Sequence, residues 1–349
     1  MNVFEGMGRD LGKFINNSSK HIISIVPSLL KSSIKIGGCI SRGLIDSEYK
    51  EEDRMSLKDQ LEINNMVKYK YFPLDELERS FINPEFIKYE YIEGEKKGIR
   101  ACVGCNMEGE PKWFDILDGH ALVAGASGWG KSSFLNTFIT YILMTYTENE
   151  VCFKGYDGKA SDVYYFRRYK HFKGEVATNK EQFIQHMNDL EKVINKRKEV
   201  LDKLNCRNAI NYNKKHEPKM PYIIYVIDEL PQLTADNECS NLLRLMMAKC
   251  RSYGIYFILA TQDATKDTIG KCKMNCSQVV GFHTKDTTDS KTIINSDILE
   301  SIKVVGRSYI DTGREIEEAQ IFYLEEDEIE DLLKDKLKEK YKQLQEQEV

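Results

Sequence analysis

The chain has 349 residues, of which 41% are hydrophobic and 30% charged, a composition typical of one large folded domain with a smaller one beside it. It excludes a fibrous or broadly disordered protein. Fifty lysines and arginines stand against 55 aspartates and glutamates, which excludes a surface that coats nucleic acid throughout but not a local basic channel. Nine cysteines without a signal-peptide pattern indicate a reducing cytoplasm.

The first 45 residues form a basic segment in which six lysines and arginines and two acids are interleaved with apolar residues. No stretch of the sequence holds the about 20 apolar residues that a membrane span needs. The pattern predicts an interfacial helix on an anionic membrane, a basic arm or a partner-docking helix, and Pro27 interrupts a continuous helix. We expect a cytoplasmic protein, with peripheral membrane contact through this segment left open.

The whole chain divides by pattern into four regions. Residues 1–66 are the basic amphipathic segment and a charged linker, and residues 67–115, where 86–92 alternates like a half-buried strand, form a small β-containing module. Strand-like and helical runs alternate over 116–324, which predicts an α/β domain with a mainly parallel sheet. Residues 325–349 predict an acidic amphipathic C-terminal helix. The predicted core strands are 121–124, 151–156, 222–227, 255–260 and 279–282, with a crossover helix over 179–204.

A glycine-rich loop follows the first of these strands. The run Gly125-Ala-Ser-Gly-Trp-Gly-Lys-Ser132 satisfies the G-x-x-x-x-G-K-[ST] pattern between a strand and a helix. Its glycines let backbone N–H groups and a helix N-terminus point at phosphate oxygens. We expect Lys131 to neutralise the β- and γ-phosphates of ATP and Ser132 to ligate Mg²⁺. The candidate nucleotide-binding residues are Gly125, Ala126, Ser127, Gly128, Trp129, Gly130, Lys131, Ser132 and Ser133.

Two further strands end in polar residues that suit hydrolysis. The apolar run 222–227 is followed by Asp228 and Glu229, which a parallel sheet delivers to its ligand edge. We expect Asp228 to orient Mg²⁺ and Glu229 to take a proton from the attacking water. The next strand ends in Thr261 and Gln262, and Gln262 is expected to reach the γ-phosphate and report its hydrolysis.

Over residues 102–323 the chain resembles the motor domain of the FtsK/SpoIIIE family of DNA-pumping ATPases, within the HerA/FtsK superfamily, and its motifs follow the family's order. The matching runs are His120-Ala-Leu-Val-Ala-Gly-Ala-Ser-Gly-Trp-Gly-Lys-Ser132, Cys206-Arg-Asn-Ala-Ile-Asn-Tyr-Asn213, 222–230, 251–262, 282–294 with Asp289-Ser-Lys-Thr-Ile-Ile294, and Gly306-Arg307. Val279 and Pro231 depart from the family's pattern, where relatives carry a basic and a small residue.

The resemblance implies a RecA-like P-loop core and a homohexameric ring with ATP at subunit interfaces and DNA in its pore. It also implies an arginine supplied in trans, for which Arg251 is the first candidate, followed by Arg307 and Arg244. Two basic runs are candidate pore loops that contact DNA phosphates without reading sequence. They are Arg167-Arg-Tyr-Lys-His171 and the set Lys266, Lys271 and Lys273.

We expect a translocase of double-stranded DNA that serves transfer or mobilisation of a plasmid, integrative element or phage rather than chromosome segregation. Its expected partners are DNA and a relaxase or a secretion channel. Two alternatives stay open, namely a protein-export ATPase of the type VII kind and a non-motor adaptor that binds ATP. Stimulation of ATP turnover by DNA distinguishes the translocase from both.

Overall fold

The computed structural model describes residues 87, 89, 91–106 and 109–347, without the side chains of residues 266, 267, 271 and 344–347. The predicted N-terminal basic segment and linker, residues 1–66, lie outside the described residues, and so does most of the predicted β-containing module before residue 91. None of the described helices is long and apolar enough to cross a bilayer.

Nine strands form one sheet in the order β2-β1-β9-β8-β7-β3-β6-β5-β4. The strands are β1 (Arg100–Cys105), β2 (Pro111–Asp115), β3 (His120–Ala124), β4 (Val151–Tyr156), β5 (Tyr222–Ile227), β6 (Ile255–Thr261), β7 (Cys276–Gly281), β8 (Arg307–Asp311) and β9 (Ile316–Ile321). All five predicted core strands are therefore present, with boundaries within a few residues of those expected.

Ten α-helices are described. They are α1 (Lys131–Thr145), α2 (Asp162–Tyr165), α3 (Lys180–Lys203), α4 (Ala209–Lys215), α5 (Leu230–Thr234), α6 (Asn237–Cys250), α7 (Lys266–Lys273), α8 (Thr287–Ile294), α9 (Glu326–Leu333) and α10 (Glu339–Gln347). The long α3 is the predicted crossover helix, begun by Asn179, whose side chain accepts the N–H of Gln182.

The sheet has a parallel half and an antiparallel half. Strands β7, β3, β6, β5 and β4 run parallel to one another, which confirms the predicted mainly parallel core. Strands β8, β9, β1 and β2 extend it with antiparallel pairs. Strands β1 and β2 thus belong to the same sheet as the P-loop core, since Gly104 of β1 pairs with Ile321 of β9.

Successive residues of the central strands point into two apolar layers, because side chains alternate across a sheet. Val123 and Ile224 lie in the layer under α1, whereas Leu122 and Ile223 lie in the layer under α3 and α6. The α1 residues Phe134, Phe138 and Ile142 are fully buried in the first layer. Helix α1, which follows the glycine-rich loop, is therefore held in the core.

The C-terminal arm, residues 324–343, crosses over α1 and reaches the far edge of the sheet. Ile329 and Leu333 of α9 are buried with α1 in the first apolar layer. Beyond α9, the N–H of Lys170 donates to the carbonyl of Lys336, and the N–H of Lys338 donates to the carbonyl of Arg168. The arm therefore connects the β9 side of the sheet to the segment that follows β4.

Two local expectations differ from the structure. The described residues of the run 86–92 form no strand, although the N–H of Tyr89 donates to the carbonyl of Tyr323 and the N–H of Tyr323 donates to that of Ile87. The C-terminal segment, expected as one helix, is two helices separated by a 3-10 turn at Lys334–Lys336. Leu337 and the segment around it pack in extended form against Tyr169, which interrupts the helix.

Candidate active site

The carboxyl ends of β3, β4, β5 and β6 meet at one cavity of about 410 Å³. Its lining comprises six residues of the glycine-rich loop and the start of α1, then Lys159, Ser161 and Asp162 after β4, Asp228 after β5 and Gln262 after β6. Val305, Gly306 and Tyr323 complete its rim. Ligands of open α/β sheets bind at this edge, so the cavity is the expected place for a nucleotide.

The glycine-rich loop packs so closely that a side chain would disturb it. Gly130 has a φ of 114°, and a Cβ there would lie 3.0 Å from the Cα of Gly306. The N–H of Gly306 in turn donates to the carbonyl of Trp129. Gly130 also precedes α1 without capping it through a side chain, which leaves the first N–H groups of the helix available for an anion.

Lys131 lies in the lining with its ammonium group folded onto its own loop. Its Nζ donates to the carbonyls of Gly125 and Ala126 at 2.7 and 2.8 Å. Burial lowers the pKa of Lys131 to about 8, although the charges of Glu229 and Asp228 oppose the shift. A nearby phosphate would favour the charged form of the lysine, because opposite charges within a few ångströms stabilise each other.

The carboxylates of the site are crowded. Burial, followed by the charges of Asp162, Asp157 and Glu229, raises the pKa of Asp228 to about 7. Glu229 is buried at the start of α5, and its Oε1 accepts the N–H of Gln262 at 3.4 Å. Pro231, which departs from the family's pattern, occupies the first turn of α5, where its missing N–H has no cost.

The oxygen donors suit a magnesium ion. The hydroxyl of Ser132 donates to Asp162 at 2.5 Å, and Asp228 is close enough for Asp162 to raise its pKa. A hydroxyl and two carboxylates are hard oxygen ligands of the kind that Mg²⁺ prefers, and a divalent cation would relieve the repulsion between the acids. Such an ion would neutralise charge on the phosphate oxygens that it contacts.

The candidate trans arginines do not lie at the cavity of their own chain. Arg251 precedes β6 at the opposite edge of the sheet, where it is exposed and donates to the hydroxyl of Ser277 at 2.9 Å. Arg244 is also exposed, on α6. Arg307 is buried, forms an ion pair with Glu318 and donates to Gln320, so its contacts join β8 to β9.

Part of the proposed pore-loop segment is packed inside the protein. Tyr169 and His171 are buried, and Arg168 forms an ion pair of 2.8 Å with Glu330 of α9. The hypothesis is therefore wrong for Tyr169 and His171. Lys273 donates to the carbonyl of Thr292, and the side chains of Lys266 and Lys271 lie outside the described residues.

Sequence reasoning missed two charged residues of the lining, Lys159 and Asp162. They follow β4, which carries no recognisable motif. The usable signal is topological, since β4 pairs in parallel with the strand that ends in Asp228, and its carboxyl end must reach the same edge. The roles of the site residues remain predictions, but the structure brings Lys131, Ser132 and Asp228 together with these two around one cavity.

Comparison with known proteins places the chain in a family. The model of the FtsK/SpoIIIE family matches residues 87–266, more than half of the chain. The protein belongs to the FtsK/SpoIIIE family. The DNA translocase FtsK of Leptospira interrogans is 30% identical over 249 residues, which cover 67% of this chain and 26% of that relative. The chain thus spans about a quarter of the length of that FtsK.

Two solved structures share the fold. The pCW3 conjugation coupling protein TcpA, in a monomer form with ATPγS, aligns with a TM-score of 0.62 at 22% identity, over 71% of this chain and 73% of that one. The cytoplasmic domain of the Thermomonospora curvata type VII secretion ATPase EccC aligns with a TM-score of 0.60 at 20% identity, over 73% and 33%. Both likenesses confirm the predicted P-loop ATPase fold.

Proposed function

We propose that this FtsK/SpoIIIE-family protein hydrolyses ATP and uses the energy to move along double-stranded DNA. The observation that carries the proposal is one cavity at the carboxyl edge of the sheet, lined by residues of the glycine-rich loop, Asp228 and Gln262, beside which the carboxylate of Glu229 accepts the N–H of Gln262. The sequence relatives named DNA translocase FtsK support DNA as the substrate.

In the proposed reaction the glycine-rich loop and the N-terminus of α1 bind the phosphates of ATP. Lys131 leaves its two loop carbonyls to pair with phosphate oxygens, while Ser132 and Asp228 hold Mg²⁺. Glu229 accepts a proton from the water that attacks the γ-phosphate. The N–H of Gln262 donates to Glu229, so Gln262 is placed to transmit the change when that phosphate leaves.

The proposal extends to assembly and setting. We place the protein in the cytoplasm as a homohexameric ring, with a neighbouring subunit's Arg251 at each ATP and the basic N-terminal segment as a membrane or partner contact. We further propose that it transfers DNA of a mobile element towards a relaxase or secretion channel. The fold shared with the coupling protein TcpA supports this setting, whereas the fold shared with EccC supports the export alternative.

The deciding experiment is the steady-state rate of ATP hydrolysis with and without long linear duplex DNA, over a series of salt concentrations. A translocase that grips phosphates is stimulated by DNA, and the stimulation falls as salt rises because counterions compete for the backbone. No stimulation at any salt concentration contradicts DNA translocation and favours protein export or an adaptor.

Two variants separate binding from hydrolysis. Lys131→Ala removes the cation of the loop and should abolish nucleotide binding or turnover. Glu229→Gln should bind ATP with little change but lower kcat by about a hundredfold or more, the effect of losing a general base. Turnover at the wild-type rate in Glu229→Gln would contradict the role of Glu229.

A further inference from the structure

Lys159 is a second lysine in the cavity lining, outside the glycine-rich loop. Its Nζ lies 3.3 Å from Oε2 of Glu229, and the lysine side chain is 51% exposed while that of Glu229 is 11% exposed. We propose that Lys159 has two roles: it is a positioning residue for Glu229, and it is a second cation that contacts the bound phosphates. In the second role it distinguishes a nucleoside triphosphate from a diphosphate. This inference rests on the proposed function, because it assigns a role within ATP hydrolysis.

The loop that carries Lys159 has a fixed backbone. The fully buried carboxylate of Asp157 accepts the N–H groups of Lys159, Ser161 and Tyr164 at 3.1, 2.9 and 3.0 Å. Ala160 has a φ of 54°, a conformation that residues with a side chain rarely adopt unless their surroundings impose it. The backbone of Lys159 is therefore held in place rather than free to sample the solvent.

The same loop is packed against the helix that begins after Glu229. A Cβ added to Gly158 would lie 1.8 Å from Oε1 of Gln232 in α5. The end of the Gln232 side chain therefore lies directly against the backbone of Gly158. Lys159 and Glu229 are thus carried by two segments that contact each other.

Both oxygens of Glu229 have a donor. Lys159 contacts Oε2, and the N–H of Gln262 donates to Oε1. Together these two contacts hold the carboxylate of Glu229 in one orientation beside the cavity. A lysine ammonium has three donor hydrogens, so one can stay on Glu229 while another serves a phosphate oxygen.

The two lysines line the same cavity. Lys131 and Lys159 both lie in its lining with Asp228, and Lys159 forms its ion pair with Glu229, the residue that follows Asp228. A phosphate chain bound by the glycine-rich loop would direct its terminal group towards Lys131, Lys159 and Asp228. ATP has one more phosphate than ADP, so the second cation favours ATP over ADP.

The affinity test uses the full-length protein and calorimetric titration with ADP and with the non-hydrolysable triphosphate AMP-PNP, both with Mg²⁺. Lys159→Met should weaken the triphosphate about tenfold and ADP less than about twofold, since a charge-assisted contact to the terminal phosphate is lost. Lys159→Arg should retain most of the preference. Lys173→Met, at an exposed lysine outside the cavity lining, is the matched control and should bind both nucleotides like the wild type.

The turnover test asks whether Lys159 acts through Glu229. Lys159→Met should lower kcat about tenfold, Lys159→Arg should restore part of the loss, and Lys159→Met in a Glu229→Gln background should lower kcat no further. Melting temperatures verify folding, and Lys159→Gln replaces the methionine variant if that one unfolds.

The proposal is overturned if Lys159→Met leaves the ratio of the affinities for AMP-PNP and ADP unchanged, whether both affinities fall equally or neither falls. A wild-type kcat in Lys159→Met also overturns it. A wild-type protein that binds both nucleotides but never hydrolyses ATP contradicts the proposed function instead, and the affinity ratio then still decides the role of Lys159.

Discussion

The indole ring of Trp129 lies on the imidazole ring of His283, with the ring centroids 3.9 Å apart and the planes inclined by 34°. Trp129 belongs to the glycine-rich loop, and His283 follows β7. The carbonyl of His283 also accepts the N–H of Ala126 at 2.8 Å. The stack and this hydrogen bond attach the loop to the sheet, which gives a reason for a large side chain at a position usually filled by a small one.

The stack predicts that Trp129→Ser and His283→Ala each weaken ATP binding by about two- to tenfold, the free energy of one aromatic contact. The loop would lose a constraint that holds it ready for phosphate. Combining the two substitutions should weaken binding no more than either alone, since both remove one interaction. Titration calorimetry measures the effect, and Trp113→Phe, which changes the other tryptophan, is the control. Fully additive losses would show that the rings act independently.

The position of Arg251 predicts a role between subunits. Because it lies at the edge of the sheet opposite the cavity, Arg251→Ala should bind ATP normally yet lower turnover about a thousandfold, as expected on losing a trans arginine. Mixing Arg251→Ala with Lys131→Ala subunits should restore part of the activity, because some interfaces then combine an intact Lys131 with an intact Arg251. Mixtures as inactive as their components would argue against Arg251.

Two adjacent leucines of α9 predict how much the C-terminal arm contributes to stability. Leu333 is fully buried, so Leu333→Ala should lower the free energy of unfolding by about 2–5 kcal/mol. Leu332 is 38% exposed, and Leu332→Ala should change it by no more than about 0.5 kcal/mol. Urea denaturation followed by circular dichroism compares the two. Similar values for both would mean that the arm is not part of the folded core.

His120 predicts a loss of stability in acid. Burial, together with the charge of Arg251, lowers its pKa to about 4 from 6.5, and its Nδ1 accepts the N–H of Phe257. Below pH 6.5 the unfolded chain therefore binds a proton at His120 that the folded chain does not bind. The contribution of neutral His120 to stability is full above pH 6.5 and falls as the pH drops towards 4.

The measurement is the melting temperature of the wild type and of His120→Gln between pH 7.5 and pH 5. The variant lacks this titration, although it also loses contacts to Met247 and Phe257 and starts from a lower melting temperature. Its melting temperature should fall less steeply over that range. Parallel pH curves would assign the acid sensitivity to other groups, such as His186, whose pKa burial also lowers to about 4.

The sequence pattern predicts most of the cavity lining because those parts of the candidate site are contiguous in the chain. Strand β3, the glycine-rich loop and α1 form one uninterrupted run, and Asp228 directly follows an apolar strand. Lys159 could not be found this way, since the pairing of β4 with β5, and not its neighbours in the chain, brings it to the cavity and to Glu229.

The segment around Tyr169 shows why charge alone misled the pore-loop hypothesis. The basic residues stand out in the sequence, but Phe166, Tyr169 and Phe172 recur at every third position and are all buried. The apolar spacing, which indicates a packed face, was the better guide than the charges. The ion pair of Arg168 with Glu330 joins residues 162 positions apart, a separation that no local pattern reveals.

The pairing of β1 with β9 has a consequence for any shortened version of the protein. A fragment that begins at residue 116, where sequence patterns place the start of the α/β domain, would lack both β1 and β2. Strand β9 would then lose its pairing at Gln320 and Ile321 on the side opposite β8, where Cys105 and Gly104 of β1 are their partners. An open strand edge of this kind recruits other chains, so we expect such a fragment to aggregate more readily than the longer chain.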